Sequence, residues 1–153
     1  MIDAADLLRT VRSVLVIDWP TKDLPETLSR AGYTVFVKAG PGDDDYVLYE
    51  AADDGSIRRR PMDRPERIDL VHVYRPIEEL PGYVDLAVGL GATAVWVLSG
   101  LSEDGSRDRT GCWLPADQSA EARRIVESAG LAYVERPAIL EAVHAAGIDG
   151  ARR

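Results

Sequence analysis

Few residues in this chain could carry acid–base, nucleophilic or metal chemistry. The sequence holds two histidines, His72 and His144, and one cysteine, Cys112. Neither histidine stands at a metal-ligand spacing or beside a nucleophile, and His72 falls in the middle of a predicted strand, which favours a core histidine. A reactive cysteine needs an electropositive neighbourhood, and near Cys112 only Arg107 and Arg109 hint at one. We therefore predict no catalytic residue and no metal site.

Charged residues that occur in runs indicate surface rather than a site. The acidic runs 43–45 and 53–54 lack the alternating ligands and closing glutamate of a calcium loop, so we interpret them as solvated turns. The run Arg58–Arg60 is the dense basic stretch, and a solvated strand end is the better interpretation. In total, 18 basic and 26 acidic residues give a net charge of −8. That balance argues against nucleic acid or an anionic membrane as a partner.

The composition also bears on the compartment. A single cysteine excludes an intramolecular disulfide, no apolar run reaches the length of about 18 residues that suggests a membrane helix, and the first residues, MIDAADLLRTVR, lack the pattern of a signal peptide. We expect a cytoplasmic protein whose residues 1–153 form a single domain.

The element that must position any site is the stretch 68–100. Its two apolar, β-branched runs, Ile68–Tyr74 and Ala92–Leu98, flank a segment whose apolar residues recur at helical spacing. Two nearly continuous apolar strands joined by a helix predict a parallel pair buried on both faces. Further strands are predicted at Ser13–Ile17, Tyr33–Lys38 and Leu131–Val134, with helices at about Leu24–Ala31 and Asp117–Ala129.

These elements predict an α/β fold: a doubly wound, Rossmann-like, five-stranded parallel sheet of order 3-2-1-4-5. Residues 45–60 are predicted to form an inserted β-hairpin, because Asp54-Gly55 is a turn signal between two β-like runs. Residues 101–116 are predicted to form a long loop, and such loops tend to be lids, binding loops or disordered segments. Ligands bind such sheets where the strand order reverses, which here predicts the loops Asp18–Asp23 and Ser99–Ala116.

Four segments carry a resemblance to a known family: AGY at 31–33, IDLVHVYRPIEELP at 68–81, GATAVWVLSG at 91–100 and AEARRIVESAGLAYVERPAI at 120–139. Together they resemble the small CoA-binding Rossmann domains, which are single-domain relatives of the CoA-binding half of succinyl-CoA synthetase α subunits. The resemblance covers about Val11 to Ile139 and excludes the hairpin and the long loop.

The resemblance implies a glycine-rich turn after the first strand, where backbone N–H groups cradle the CoA pyrophosphate. This chain has no glycine between Asp18 and Pro25, Asp18 would repel a phosphate, and Asp23 and Glu26 stand at capping-box spacing in the following helix. Lys22 would offset part of that repulsion. As the cofactor-binding residues of the crevice, the resemblance and the fold together indicate Asp18, Trp19, Thr21, Lys22, Lys38, Arg75, Ser99 and Gly100.

Three functions stay open from the sequence. The first is a non-catalytic domain that binds CoA, an acyl-CoA or a related nucleotide. The second is a degenerate Rossmann domain that has lost its ligand and binds a protein partner or a second copy, in a homodimer, through the outer strand of the hairpin. The third is an enzyme acting on a CoA ester, for which no acid, base or nucleophile can be named.

Overall fold

The computed structural model describes residues 3–18, 22–40, 42, 44–97, 116–135 and 138–148. The helices are α1 (Ala4–Thr10), α2 (Asp23–Arg30), α3 (Leu80–Gly89), α4 (Ala116–Ser128) and α5 (Ile139–Ala145), and a 3-10 turn, Ile77–Glu79, leads into α3. The strands are β1 (Ser13–Ile17), β2 (Thr34–Lys38), β3 (Tyr46–Ala51), β4 (Ile57–Met62), β5 (Leu70–Val73), β6 (Ala94–Val97) and β7 (Ala132–Val134). No helix in these ranges has the length and apolar character needed to span a bilayer.

The described strands form one sheet in the order β4-β3-β2-β1-β5-β6-β7. Strands β2, β1, β5, β6 and β7 are parallel, whereas β3 pairs antiparallel with β2, and β4 antiparallel with β3. The predicted α/β class with a mostly parallel sheet is confirmed. The predicted sheet of five strands in the order 3-2-1-4-5 is wrong: the sheet has seven strands, and its parallel members run in the order 2-1-3-4-5.

The hairpin explains the difference in order. It forms where predicted, with Gly55 in the left-handed region at its turn, but β3 pairs along β2, with Val47 opposite Val37. That edge of β2 is therefore closed to the third parallel strand. Strand β5 pairs with the other edge of β1 instead, with His72 opposite Val16. The strand order consequently reverses between β1 and β5, and not beside the fourth parallel strand.

Each face of the sheet carries its own apolar core, because successive side chains of a strand point to opposite faces. One face packs against α3 and α4 and includes the strand residues Leu15, Ile17, Val71, Val73, Val95 and Val97. The opposite face packs against α1, α2 and α5 and includes Val14, Val16, Leu70, Ala94 and Trp96. Helix α2, which follows β1, thus covers one face, and α3, which follows β5, covers the other.

His72 belongs to the core rather than to a site. Its side chain is fully buried in the middle of β5, beside Val16 of β1 and Trp96 of β6 in the strand register. Burial lowers the pKa of His72 to about 3, so the imidazole is neutral in the folded protein at physiological pH. The sequence-based interpretation of a core histidine is confirmed.

Candidate functional site

A crevice lies at the carboxyl ends of β1, β2 and β5, where the strand order reverses. The chain leaves β1 and β5 toward opposite faces of the sheet, and this divergence opens a gap above the strand ends. The crevice has a volume of about 270 Å³. Its walls are formed by Ile17, Asp18, Lys38, Ala39, Gly40, Arg75, Glu79 and Tyr83.

Arg75 is the centre of the crevice and is held by two carboxylates. Its Nη1 donates to Asp18 Oδ2 at 2.7 Å, and its Nε donates to Glu79 Oε1 at 3.0 Å. Nη2 also donates to Glu79, which completes a bidentate pair. The hydrogen bonds that Arg75 donates lower the pKa of Glu79. The hydrogen bonds to Glu79, and next those to Asp18, raise the pKa of Arg75 above its ordinary value. Three charged groups therefore form one ion-pair cluster across the strand-order reversal.

Asp18 has an unusual backbone at the end of β1. Its φ is +59°, and no other non-glycine residue in the described part of the chain has a positive φ. Side chains are rarely found in this region, although aspartate tolerates it better than most. The backbone at this position suits glycine, yet the chain carries a carboxylate that reaches Arg75.

Lys38 forms the opposite wall, at the end of β2. Its Nζ donates to the carbonyl oxygen of Gly42 at 3.1 Å and lies 4.6 Å from the ring centroid of Tyr46. Asp45 closes the same loop, because its carboxylate accepts from the amide of Gly42 at 2.8 Å and its carbonyl accepts from the amide of Ala39 at 2.7 Å. The lysine is thus positioned by the loop that joins β2 to the hairpin.

A second cleft of about 480 Å³ continues from the crevice along α3. It is lined by Lys38, Tyr46, Glu78, Glu79, Gly82, Tyr83 and Leu86. The two clefts share Lys38, Glu79 and Tyr83, so together they form one groove, hereafter the strand-end groove. Each is close to or within the volume range of small-molecule sites, about 300–1,000 Å³. The hairpin supplies the far wall through Tyr46.

The structure brings together three of the predicted site residues, Asp18, Lys38 and Arg75. Lys22 is exposed and stands at the N-cap of α2, outside the residues that line the groove. The predicted capping box does not form, because the N-cap Lys22 makes no side-chain cap hydrogen bond and Asp23 accepts from the adjacent amide of Leu24. The predicted site residues Trp19, Thr21, Ser99 and Gly100, and with them Cys112 and the long loop up to residue 115, lie outside the described residues.

Sequence reasoning missed several groove residues, among them Glu79 and Tyr83. Glu79 had no clear signal in the sequence, because the rule that acidic–basic pairs four residues apart meet applies within a helix, and Arg75 precedes the 3-10 turn Ile77–Glu79. Tyr83 lies in the segment whose apolar residues recur at helical spacing, a pattern that indicates packing, yet its half-buried side chain lines both clefts. Burial is the main cause that raises the pKa of Tyr83. Within the described ranges, no group of three or more His, Cys, Asp or Glu side chains could hold a metal ion.

Comparison with known proteins gives one family and two solved structures. Residues 25–144 match the model of the CoA binding domain family, a range that begins after β1 and its loop. The first structure is the "Crystal Structure of Prb (PH1109 protein redesigned for binding)", with a TM-score of 0.59, 15% identity, and coverage of 100% of this chain and 98% of that chain. The second is "The structure of cell-free ID.343 from Thermus thermophilus", with a TM-score of 0.57, 17% identity, and coverage of 95% and 99%. At these identities the two structures support the fold alone. No curated protein matches the chain.

Proposed function

The chain belongs to the CoA binding domain family, and from this premise we propose that it binds CoA or an acyl-CoA, without transforming it, in the strand-end groove. The family match over residues 25–144 carries the proposal, because that segment contributes most of the groove. It includes Lys38, Arg75 and Tyr83, which supply two cations and an aromatic ring. The groove stands at the strand-order reversal, where open α/β sheets bind their ligands.

The chemistry of the groove is compatible with a phosphate-bearing ligand. The planar fork of an arginine suits phosphate oxygens, and Arg75 and Lys38 both line the crevice. Lys22, exposed at the start of α2, adds a further cation near the same edge. Trp19, Thr21, Ser99 and Gly100 complete the proposed contacts. No described residue is proposed as a nucleophile or as an acid–base pair.

Isothermal titration of the purified protein with CoA, acetyl-CoA, ATP and NAD tests this function. We expect saturable binding of the CoA species. Arg75→Ala and Lys22→Ala should weaken binding by about tenfold or more, because each removes a charged hydrogen-bond donor worth roughly 1.5–3 kcal/mol. Arg124→Ala is the matched control, since Arg124 also pairs with a glutamate, Glu121, but on the exposed surface of α4.

That titration tests the proposed site and the proposed function separately. Binding that is equally tight in the Arg75→Ala and Arg124→Ala proteins would contradict the assignment to the strand-end groove. The absence of binding of any CoA species to the folded wild-type protein would contradict the function itself.

A second candidate is a protein-interaction domain that has lost its ligand. It is favoured by the neutralisation of Arg75 by two carboxylates and by the position of β4, which is an outer strand of the sheet formed by the described residues and is exposed at residues 58–61. A second copy paired antiparallel along this edge would bring Arg58–Arg60 of both copies together, so a distinct, acidic partner fits this edge better than a homodimer does. Saturable CoA binding that depends on Arg75 would remove the basis of this candidate.

A further inference from the structure

Asp18 occupies a backbone position that its side chain does not favour. Its φ of +59° lies in the left-handed region, which glycine adopts without steric cost. The backbone alone therefore gives no reason for aspartate at the end of β1. The reason must come from what the carboxylate contacts.

That carboxylate contacts the guanidinium of Arg75. The distance from Asp18 Oδ2 to Arg75 Nη1 is 2.7 Å, while Glu79 takes the Nε and Nη2 side of the same group. Carboxylate oxygens and phosphate oxygens both accept charged hydrogen bonds from an arginine. Asp18 thus fills, from within the chain, the position on Arg75 that a ligand phosphate would take.

The charged residues that line the strand-end groove also disfavour an added anion. Of the described residues that line the strand-end groove, two are cations, Lys38 and Arg75, and three are carboxylates, Asp18, Glu78 and Glu79. A ligand anion that left all of these in place would enter a site with an excess of negative charge. The side chain of Asp18 is 58% exposed, so it has open solvent into which it can turn away from Arg75.

We infer that Asp18 is an internal anion that occupies Arg75 in the ligand-free protein and must be displaced by a phosphate group of the ligand. The inference rests on the proposed function and makes it more specific. Asp18 sets a threshold on affinity: a ligand that offers Arg75 a phosphate or pyrophosphate displaces the carboxylate, and one that offers only a weak acceptor does not.

Asp18→Asn tests the inference, because asparagine keeps the size of the side chain, tolerates the left-handed backbone and removes the charge. Asp18→Gly is the second variant, because glycine suits the observed φ. Glu121→Gln is the matched control, since it also removes an exposed carboxylate that pairs with an arginine, Arg124, outside the groove. Dissociation constants for CoA and for inorganic pyrophosphate are measured by calorimetry at low salt for each protein.

The expected result is binding roughly two- to fivefold tighter in both Asp18 variants than in the wild-type protein, the size of effect that a competing exposed ion pair can carry. The control should bind as the wild type does. The gain should disappear in the Asp18→Asn, Arg75→Ala double variant, because the displaced anion acts through Arg75.

The outcomes separate the inference from the proposed function. Equal affinities in the wild-type and Asp18→Asn proteins, or a gain that persists without Arg75, would overturn the inference and leave CoA binding intact. Pyrophosphate binding gained in Asp18→Asn, in a chain whose wild type binds no CoA, would support the inference and overturn the function. Failure of every protein to bind either probe would overturn both.

Discussion

Acidification should destabilise this protein through His72. The imidazole is fully buried in β5, and burial lowers its pKa to about 3 from the ordinary 6.5. In the unfolded chain the same side chain titrates near ~6.5. Between these two pH values the unfolded state binds a proton that the folded state does not, so the free energy of unfolding falls as the pH falls.

The magnitude follows from the difference between the two pKa values. Each pH unit below about 6.5 removes roughly 1.4 kcal/mol, so the loss attributable to His72 reaches about 2 kcal/mol at about pH 5. That is a large fraction of the stability of about 5–15 kcal/mol that is typical of folded proteins. The interval lies above the ordinary pKa of a glutamate, about 4.3. Because Arg75 lowers the pKa of Glu79 in the folded protein, the stability that Glu79 contributes is lost only as the pH falls through that ordinary value and below it.

Urea denaturation at several pH values between about 7.5 and 5 measures this loss. His72→Leu and His72→Gln remove the titrating group, and His144→Gln, on the exposed surface of α5, is the control. The loss of unfolding free energy between about pH 7.5 and 5 should be about 2 kcal/mol smaller in the His72 variants than in the wild-type protein. In the His144 variant the loss should equal that of the wild type. An equal pH dependence in the wild-type and His72→Leu proteins would refute the reasoning, whatever the absolute stabilities.

The other stability predictions concern the core and two glycines. Trp96→Ala should lower the free energy of unfolding by about 3–5 kcal/mol, because this large side chain is fully buried. Urea denaturation at neutral pH measures the loss, and a loss below ~1 kcal/mol would contradict the packing of Trp96. An added Cβ has open space at both Gly82 and Gly130, but only Gly130 has positive φ, +83°. Thermal melts should therefore show that Gly82→Ala stabilises α3 by up to about 1 kcal/mol and that Gly130→Ala destabilises the end of α4 by roughly 1–2 kcal/mol. Equal effects at the two glycines would contradict this account.

The parallel strands could be predicted because their residues are locally distinctive. The apolar, β-branched run that was assigned to Ile68–Tyr74 contains β5, and the run assigned to Ala92–Leu98 contains β6. The order of the strands could not be predicted in the same way. Which edge of β2 or β1 a strand joins depends on pairing between distant segments. The hairpin occupies the edge of β2 that the prediction had assigned to the third parallel strand.

The sequence predicted which strand ends form the site but not the contacts made there. Asp18 and Arg75 follow predicted strands and Lys38 is the last residue of one. The carboxyl ends of parallel strands meet at one edge of a sheet, so the proximity of these residues follows from the fold class. The ion-pair cluster of Asp18, Arg75 and Glu79 does not follow from the fold class. The contact between Asp18 and Arg75 spans two strands that the predicted order kept apart, and it became visible only once β5 was found beside β1.

The most direct test of CoA binding in the strand-end groove is a titration of the isotope-labelled protein with CoA, followed by amide chemical shifts. The account predicts saturable shifts at the ends of β1, β2 and β5, at Asp18, Lys38 and Arg75, and unchanged shifts at the hairpin turn around Gly55. Shifts confined to other parts of the chain would contradict the assigned site. A spectrum that CoA leaves unchanged would contradict the proposal that this chain binds CoA.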